Sequence, residues 1–175
     1  MYKQPSGEDV DKLFSAAYEE LRRLAAQVRR GEGAPTLNPT ALVNEAYVKL
    51  AGSLRLQPKS LLHFKRIAAR AMRQVLVEAS RRRKALKRGG DQDIVTFDEA
   101  RDAKTARPDE VLALDAALED LAQTSPRQAM LVECRFFGGL DARETAELLQ
   151  VSESTVDRDW RSAKAWLSLQ IRRHG

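Results

Sequence analysis

The chain has 175 residues, 30 Lys or Arg against 25 Asp or Glu, a formal net charge of +5 and a sequence pI of about 9.6. That length suits one domain or two small ones, and the basic balance favours a polyanionic partner. A single cysteine, Cys134, excludes an internal disulfide. No apolar run approaches the roughly 20 residues of a membrane span and no signal-peptide pattern opens the chain, so a cytoplasmic setting with no membrane partner is expected.

Residues 6–30 predict a first core helix. Val10, Leu13, Phe14, Ala17, Leu21, Leu24, Ala25 and Val28 follow the 3.6-residue period behind a cap at Ser6 and acids at Glu8 and Asp9. Gly31, Gly33 and Pro35 end it. Asn38-Pro39 is a helix start, with the cap residue followed by proline at the first helical position. The second helix, over 40–50, turns Leu42, Val43, Ala46, Tyr47 and Leu50 inward and is stopped at 51–53.

Ser60 caps a third segment running to Arg88. Between Lys59 and Arg88 there are 11 Lys or Arg and one acid, Glu78. Leu62, Phe64, Ile67, Ala68, Ala71 and Met72 form one apolar stripe, whereas Val75, Leu76 and Ala79 form another, slightly offset. The change of phase predicts two helices with a break near 70–74. These bases stand on a helix with an apolar side, so they are displayed on a fixed surface where several phosphates can be neutralised. Residues 89–110 open with Gly-Gly, hold seven acids against three bases and show no stripe. They predict a flexible linker, whose acids could lie over basic surfaces.

Beyond it come helices carrying Val111, Leu112, Leu114, Ala117, Leu118 and Leu121, then Ala129, Met130, Val132, Cys134, Phe136 and Phe137. Ser125-Pro126 caps the second of these and Gly138-Gly139 terminates it. Cys134 falls in the apolar pattern and is expected to be a buried, inert thiol. Residues 140–167 then read as a helix-turn-helix. Asp141 and Glu144 make a capping-box pattern, and Ala142, Thr145, Ala146, Leu148 and Leu149 supply a buried face. The turn falls at 150–152. Glycine is common at the place of Gln150, so this glutamine must accept a strained φ or a different turn, at a cost of about 1 kcal/mol. Ser152 caps the second helix, which buries Val156, Trp160, Ala163 and Leu167 and displays Ser154, Thr155, Asp157, Arg158, Arg161 and Lys164. An ordinary helical hairpin with a solvated charged face remains the alternative on periodicity alone. The small Ala146, the short turn and the polar start of the second helix favour a reader of the DNA major groove.

The predicted fold is therefore all-α: two small helical domains, 1–88 and 108–175, joined by a linker at 89–107, the second ending in a helix-turn-helix. In that order the pieces resemble the sigma-70 family of bacterial transcription factors, in its small extracytoplasmic-function (ECF) group. SPRQAMLVECRFFGGLDARETAELLQVSESTVDRDWRSAKAWL is similar to the family's fourth domain. TALVNEAYVKL resembles its polymerase-docking helix, and HFKRIAARAMRQVLVEASRRRK its −10 segment. The resemblance covers nearly the whole chain.

It implies a factor that binds core RNA polymerase through the β′ and β subunits and directs promoter-specific initiation. Ser154, Thr155, Arg158, Arg161 and Lys164 would contact the −35 element. At −10, residues 70–74 would form the loop that accepts an unstacked base, with Arg70, Arg73 and Gln74 near it. Arg81, Arg82, Arg83 and Lys84 would hold phosphates. His63 falls where many relatives carry tryptophan, and its smaller ring stacks less strongly. Leu42, Asn44, Glu45, Tyr47 and Val48 would dock on polymerase. Ala41 stands where relatives usually have an acid at the start of that helix. Phosphorylation of Thr40, or of Thr36, would restore negative charge where the helix dipole favours it. A Ser/Thr kinase or an anti-sigma factor is thus an expected partner.

Two other classes compete, beside an inactive decoy that binds polymerase without transcribing. A dimeric repressor would need a dimer surface, and no heptad or spare apolar helix offers one. An enzyme would need a catalytic constellation: His63 and His174 are isolated, and no HExxH, CxxC, GxxxxGKS or GxSxG pattern occurs. No cofactor or metal is expected.

Overall fold

The structure, a computed structural model, describes residues 7–29, 39–52, 58, 60–89 and 108–174. In chain order it runs α1 (Gly7–Arg29), α2 (Pro39–Ala51), α3 (Leu61–Gly89), α4 (Pro108–Thr124) and α5 (Pro126–Val132). A π-helical turn (Glu133–Phe137) continues α5, and α6 (Ala142–Leu149) and α7 (Glu153–His174) complete the order. The predicted all-α class holds. No described helix is long and apolar enough to cross a membrane. Of the proposed linker at 89–107, Gly89 is the last residue of α3, and 90–107 lie outside the described residues.

The first three helices pack on one another through the faces their periodicity predicts. Ala17 and Leu21 of α1, Leu42, Val43, Ala46 and Leu50 of α2, and Phe64, Ala68 and Met72 of α3 are all buried. Phe14 closes one side of this core, with its ring 4.3 Å from that of Tyr47 and 5.6 Å from that of Tyr18. The Tyr47 hydroxyl donates to the Asp11 carboxylate, and that hydrogen bond raises the tyrosine pKa.

Two helices were expected between 61 and 88, with a break at 70–74. Instead α3 is unbroken from Leu61 to Gly89. The change of phase has another cause, because the helix is covered on two faces. Phe64, Ala68, Ala71 and Val75 share one face, which α1 and α2 cover. Lys65, Ala69, Leu76 and Ser80 share a neighbouring face and are equally buried. Helices from the C-terminal half cover that second face. With no Gly or Pro between 61 and 88, nothing interrupts the backbone hydrogen bonds.

In the C-terminal half, Ala117, Leu118 and Leu121 of α4 join Leu131, Val132, Phe137, Val156, Ala163 and Leu167 in a core continuous with that of the first three helices. Ser125 occupies the cap position of α5 ahead of Pro126, but its side chain makes no capping hydrogen bond. The π turn was not foreseen. Its wider winding turns both Cys134 and Phe137 inward. It also sets Gly138 so close to α3 that a Cβ there would lie 3.1 Å from Cβ of Ala69 and 2.6 Å from the Cys134 carbonyl oxygen. Cys134 is fully buried, as expected, and burial pushes its thiol up to about 12.

Candidate nucleic-acid interface

The helix-turn-helix is built by local signals. The Asp141 carboxylate accepts from the Glu144 amide at 2.7 Å, and the Glu144 carboxylate accepts from the Asp141 amide at 3.0 Å, a complete capping box for α6. Gln150 ends α6 at φ 54° and ψ 46°, in the left-handed region the motif demands. The turn closes with the Val151 amide donating to the Ala146 carbonyl at 3.0 Å. Ser152 then caps α7, its Oγ accepting from the Thr155 amide at 3.2 Å.

In α7, Val156 and Ala163 are fully buried, Leu167 nearly so and Trp160 half-buried, as the stripe predicts. Asp159 is also buried, which the stripe did not predict, and it receives two bonds from the Arg127 guanidinium of α5 at 2.8 and 2.9 Å. This pair ties the second helix of the motif to the helix behind it. Arg135, from the π turn, lies over the Trp160 ring at 4.6 Å.

Ser154, Arg158 and Arg161 follow one another at i, i+4 and i+7 on the outer face of α7, and all three are exposed. The Arg158 side chain is 71% exposed. Thr155 and Lys164 flank this row, Lys164 within 5.8 Å of the Trp160 ring centroid. Ser154 shares a hydrogen bond with Ser152 at 2.9 Å, so hydroxyls cluster at the N-terminus of the helix.

The −10 candidates are also brought onto one face, that of α3. Arg70, Arg73, Gln74 and Arg81 line one wall of a cleft of about 430 Å³, and Asp115, Glu119 and Glu133 stand on the other. Because α3 is continuous, 70–74 is a helical turn and not the expected loop. Arg73 is not available as expected. Its Nε donates to Asp115 Oδ1 at 2.8 Å, its terminal nitrogens reach the Asp115 carboxylate at 2.7 Å and main-chain oxygen at 3.1 Å, and it contacts Glu133 at 3.3 Å. Arg81 lies 3.7 Å from Asp115, and Lys84 bonds Asp109 at 2.8 Å. Arg70, Gln74 and Arg82 are exposed, and Arg83 and His63 half-buried. The His63 main-chain amide bonds the Ser60 hydroxyl, which caps α3 as predicted.

The docking candidates divide. Asn44, Glu45 and Val48 lie on the outer face of α2, Val48 being 69% exposed. Leu42 is fully buried and cannot reach a partner; it belongs to the core of the first three helices. Tyr47 is half-buried against Phe14. The first turn of α2 holds no acid. Thr40 follows Pro39 in the first turn of this helix, and Thr36 lies outside the described residues.

Sequence reasoning missed the acids facing α3. Their signal was nevertheless present: Asp109, Glu110, Asp115, Glu119 and Asp120 give α4 five acids and no base, beside a helix with ten bases and one acid. Among the described residues no group of acids, His or Cys is arranged to hold a metal ion.

A short-turn hairpin whose second helix buries one stripe and presents a row of hydroxyls and guanidinium groups defines a helix-turn-helix DNA-binding protein. The ECF sigma factor family model matches residues 3–173, and the chain belongs to that family. Members act in transcription initiation, binding core RNA polymerase and promoter DNA. Neither the curated proteins nor the solved structures compared contain a match.

Proposed function

We propose that this sigma factor divides promoter recognition between α7 and α3, within domains at 1–88 and 108–175, and meets polymerase through the outer face of α2. The observation that carries this is the row Ser154, Arg158 and Arg161, held outward because Val156, Asp159 and Ala163 are held inward. Placed in the major groove at −35, the arginines reach guanine edges or phosphates, and Ser154 and Thr155 reach the backbone at the helix N-terminus. Lys164 adds a phosphate contact at the flank. At −10, His63, Arg70 and Gln74 face the melted strand, joined by Arg73 once it leaves Asp115 and Glu133, and Arg81, Arg82, Arg83 and Lys84 hold its phosphates.

Docking falls to Asn44, Glu45 and Val48, with Tyr47 at the edge, against the β′ subunit; the C-terminal half engages β. With no acid in the first turn of α2, docking is weak until Thr40 is phosphorylated by a Ser/Thr kinase, or until an anti-sigma factor releases the protein. The setting is the cytoplasm, where polymerase and promoter DNA are.

The test is transcription in vitro with core polymerase on sheared host DNA, with starts mapped, for the unmodified protein and for Thr40→Glu. Starts sharing a two-part upstream motif are expected, and more of them from Thr40→Glu. Equal polymerase affinity and equal output from the two proteins would remove the kinase switch. Output that survives Arg158→Ala with Arg161→Ala would remove the assignment of α7 to −35.

A further inference from the structure

We propose that Asp157 is a specificity-determining residue of α7, reading the exocyclic amino group of one cytosine in the major groove, with Arg135 as its positioning residue. This rests on assigning α7 to the −35 element. Asp157 comes three residues after Ser154 and four before Arg161, so it neighbours both on the surface of α7. Its side chain is 58% exposed, and its carboxylate accepts no hydrogen bond among the described residues. A surface that only held phosphates would be weakened by a carboxylate among its cations. Glu153, the other exposed acid of α7, stands in the first turn, where the helix dipole accounts for it. Asp157 lies beyond that turn and has no such reason to be there.

The chemistry of the groove selects the base. The donors presented there are the amino groups of cytosine and adenine. Adenine sets its N7 acceptor beside that amino group, where it repels the second carboxylate oxygen, and cytosine does not. Arg158, the next residue, takes guanine, so acid and base divide the edges of G·C pairs between them. Arg135 supports this arrangement from the π turn. Its guanidinium lies over the Trp160 ring at 4.6 Å, and its Nη1 is buried without a hydrogen-bond partner among the described residues. Asp157 Oδ1 is 4.0 Å from an Arg135 terminal nitrogen. That is too far for a hydrogen bond, so the carboxylate keeps its acceptors for a base, but close enough for the cation to offset repulsion between Asp157 and the phosphates.

The test is transcription by the holoenzyme from a mapped promoter in which each −35 base pair is replaced in turn by the other three; where output is low, holoenzyme binding to the same templates is read instead. For the parent protein, one position should require cytosine on one strand, with the signal falling about tenfold for any other base. Asp157→Ala should level that position to within about twofold and leave the others as they were. Asp157→Asn should move its preference to adenine, whose N6 and N7 an amide bonds together. Both variants should keep the parent's denaturation midpoint, since the side chain is exposed. Arg135→Gln should weaken the same cytosine preference about threefold. An equal fall on all templates would instead give Arg135 a structural role alone and remove it from the proposal. Unchanged preferences in Asp157→Ala, or a uniform rise across all templates, would overturn the proposal, because the carboxylate would then face solvent or phosphate. If Arg158→Ala with Arg161→Ala also alters no −35 position, the assignment of α7 falls as well. If that pair alters its own positions and Asp157→Ala none, only the role of Asp157 falls.

Discussion

Two cationic helices of this protein face opposite circumstances. In α7 the row Ser154, Arg158 and Arg161 is open to solvent beside an exposed Asp157, and the buried acid of the helix, Asp159, is turned inward and neutralised by Arg127. In α3 the central arginine is turned toward acids of the other half. The difference does not lie in the cations themselves. α7 stands at the edge of the core with one side covered, whereas α3 is covered on two. A basic stripe read from sequence therefore says where positive charge is displayed. It does not say whether the display is vacant, because that depends on acids 42 and 60 residues away in the chain.

The comparison breaks most completely if α7 loses its support. Val156 is fully buried, and Val156→Asp places a carboxylate there without a partner. A loss of at least about 3 kcal/mol is expected by chemical denaturation, with duplex binding abolished. Next in size is the effect on DNA itself. For the free protein, Arg158→Ala with Arg161→Ala should weaken duplex binding about tenfold or more and reduce the salt slope by roughly 2. Arg73→Ala, at the covered position of α3, should change the same affinity by less than about twofold. Equal losses from the two helices in a salt titration would mean that α3 is as available as α7. A smaller effect is expected where α7 is tied down. Arg127→Ala leaves Asp159 buried without its guanidinium, but Arg127 is half-exposed, so water replaces part of what is lost. About 1–2 kcal/mol of destabilisation follows, read from the denaturation midpoint.

What could be read from the sequence follows the range of the interactions. The caps at Asp141, Ser152 and Ser60, the start at Pro39 and the stripe Val156, Ala163 and Leu167 are decided within one or two helical turns, and the structure has them where they were expected. The supposed break at 70–74 is a different matter. An offset between two apolar stripes looks the same whether a helix kinks or is buried on two faces, and only the packing of the C-terminal half distinguishes them. Leu42 was read inward from its periodicity and outward from the docking motif it sits in, and its place on α2, on the buried side with Val43 and Ala46, agrees with the periodicity. The π turn brings Gly138 against Ala69, a contact without a local signature. Charge complementarity was the one long-range feature open to inspection, since an acidic α4 and a basic α3 could have been matched by composition alone.

The smallest expected effect sharpens the account of the turn that orients α7. Gln150 is a non-glycine residue at φ 54°, where its Cβ crowds the following carbonyl oxygen and costs about 1 kcal/mol. Gln150→Gly removes that strain but gives the unfolded chain more freedom, which costs about 0.4–1 kcal/mol. The two nearly cancel, and a net gain of no more than about 0.5 kcal/mol is expected. Gln150→Val keeps the Cβ and adds a branch that the left-handed region tolerates poorly, so a loss of about 1–2 kcal/mol is expected. The two substitutions should therefore move the denaturation midpoint unequally, little for glycine and downward for valine. DNA affinity should follow only the valine variant, because only there does the turn resist the φ that aims α7. A valine variant as stable as the parent would mean that the turn has another conformation open to it, and that the orientation of α7 is set by the Arg127–Asp159 pair and the core beneath it.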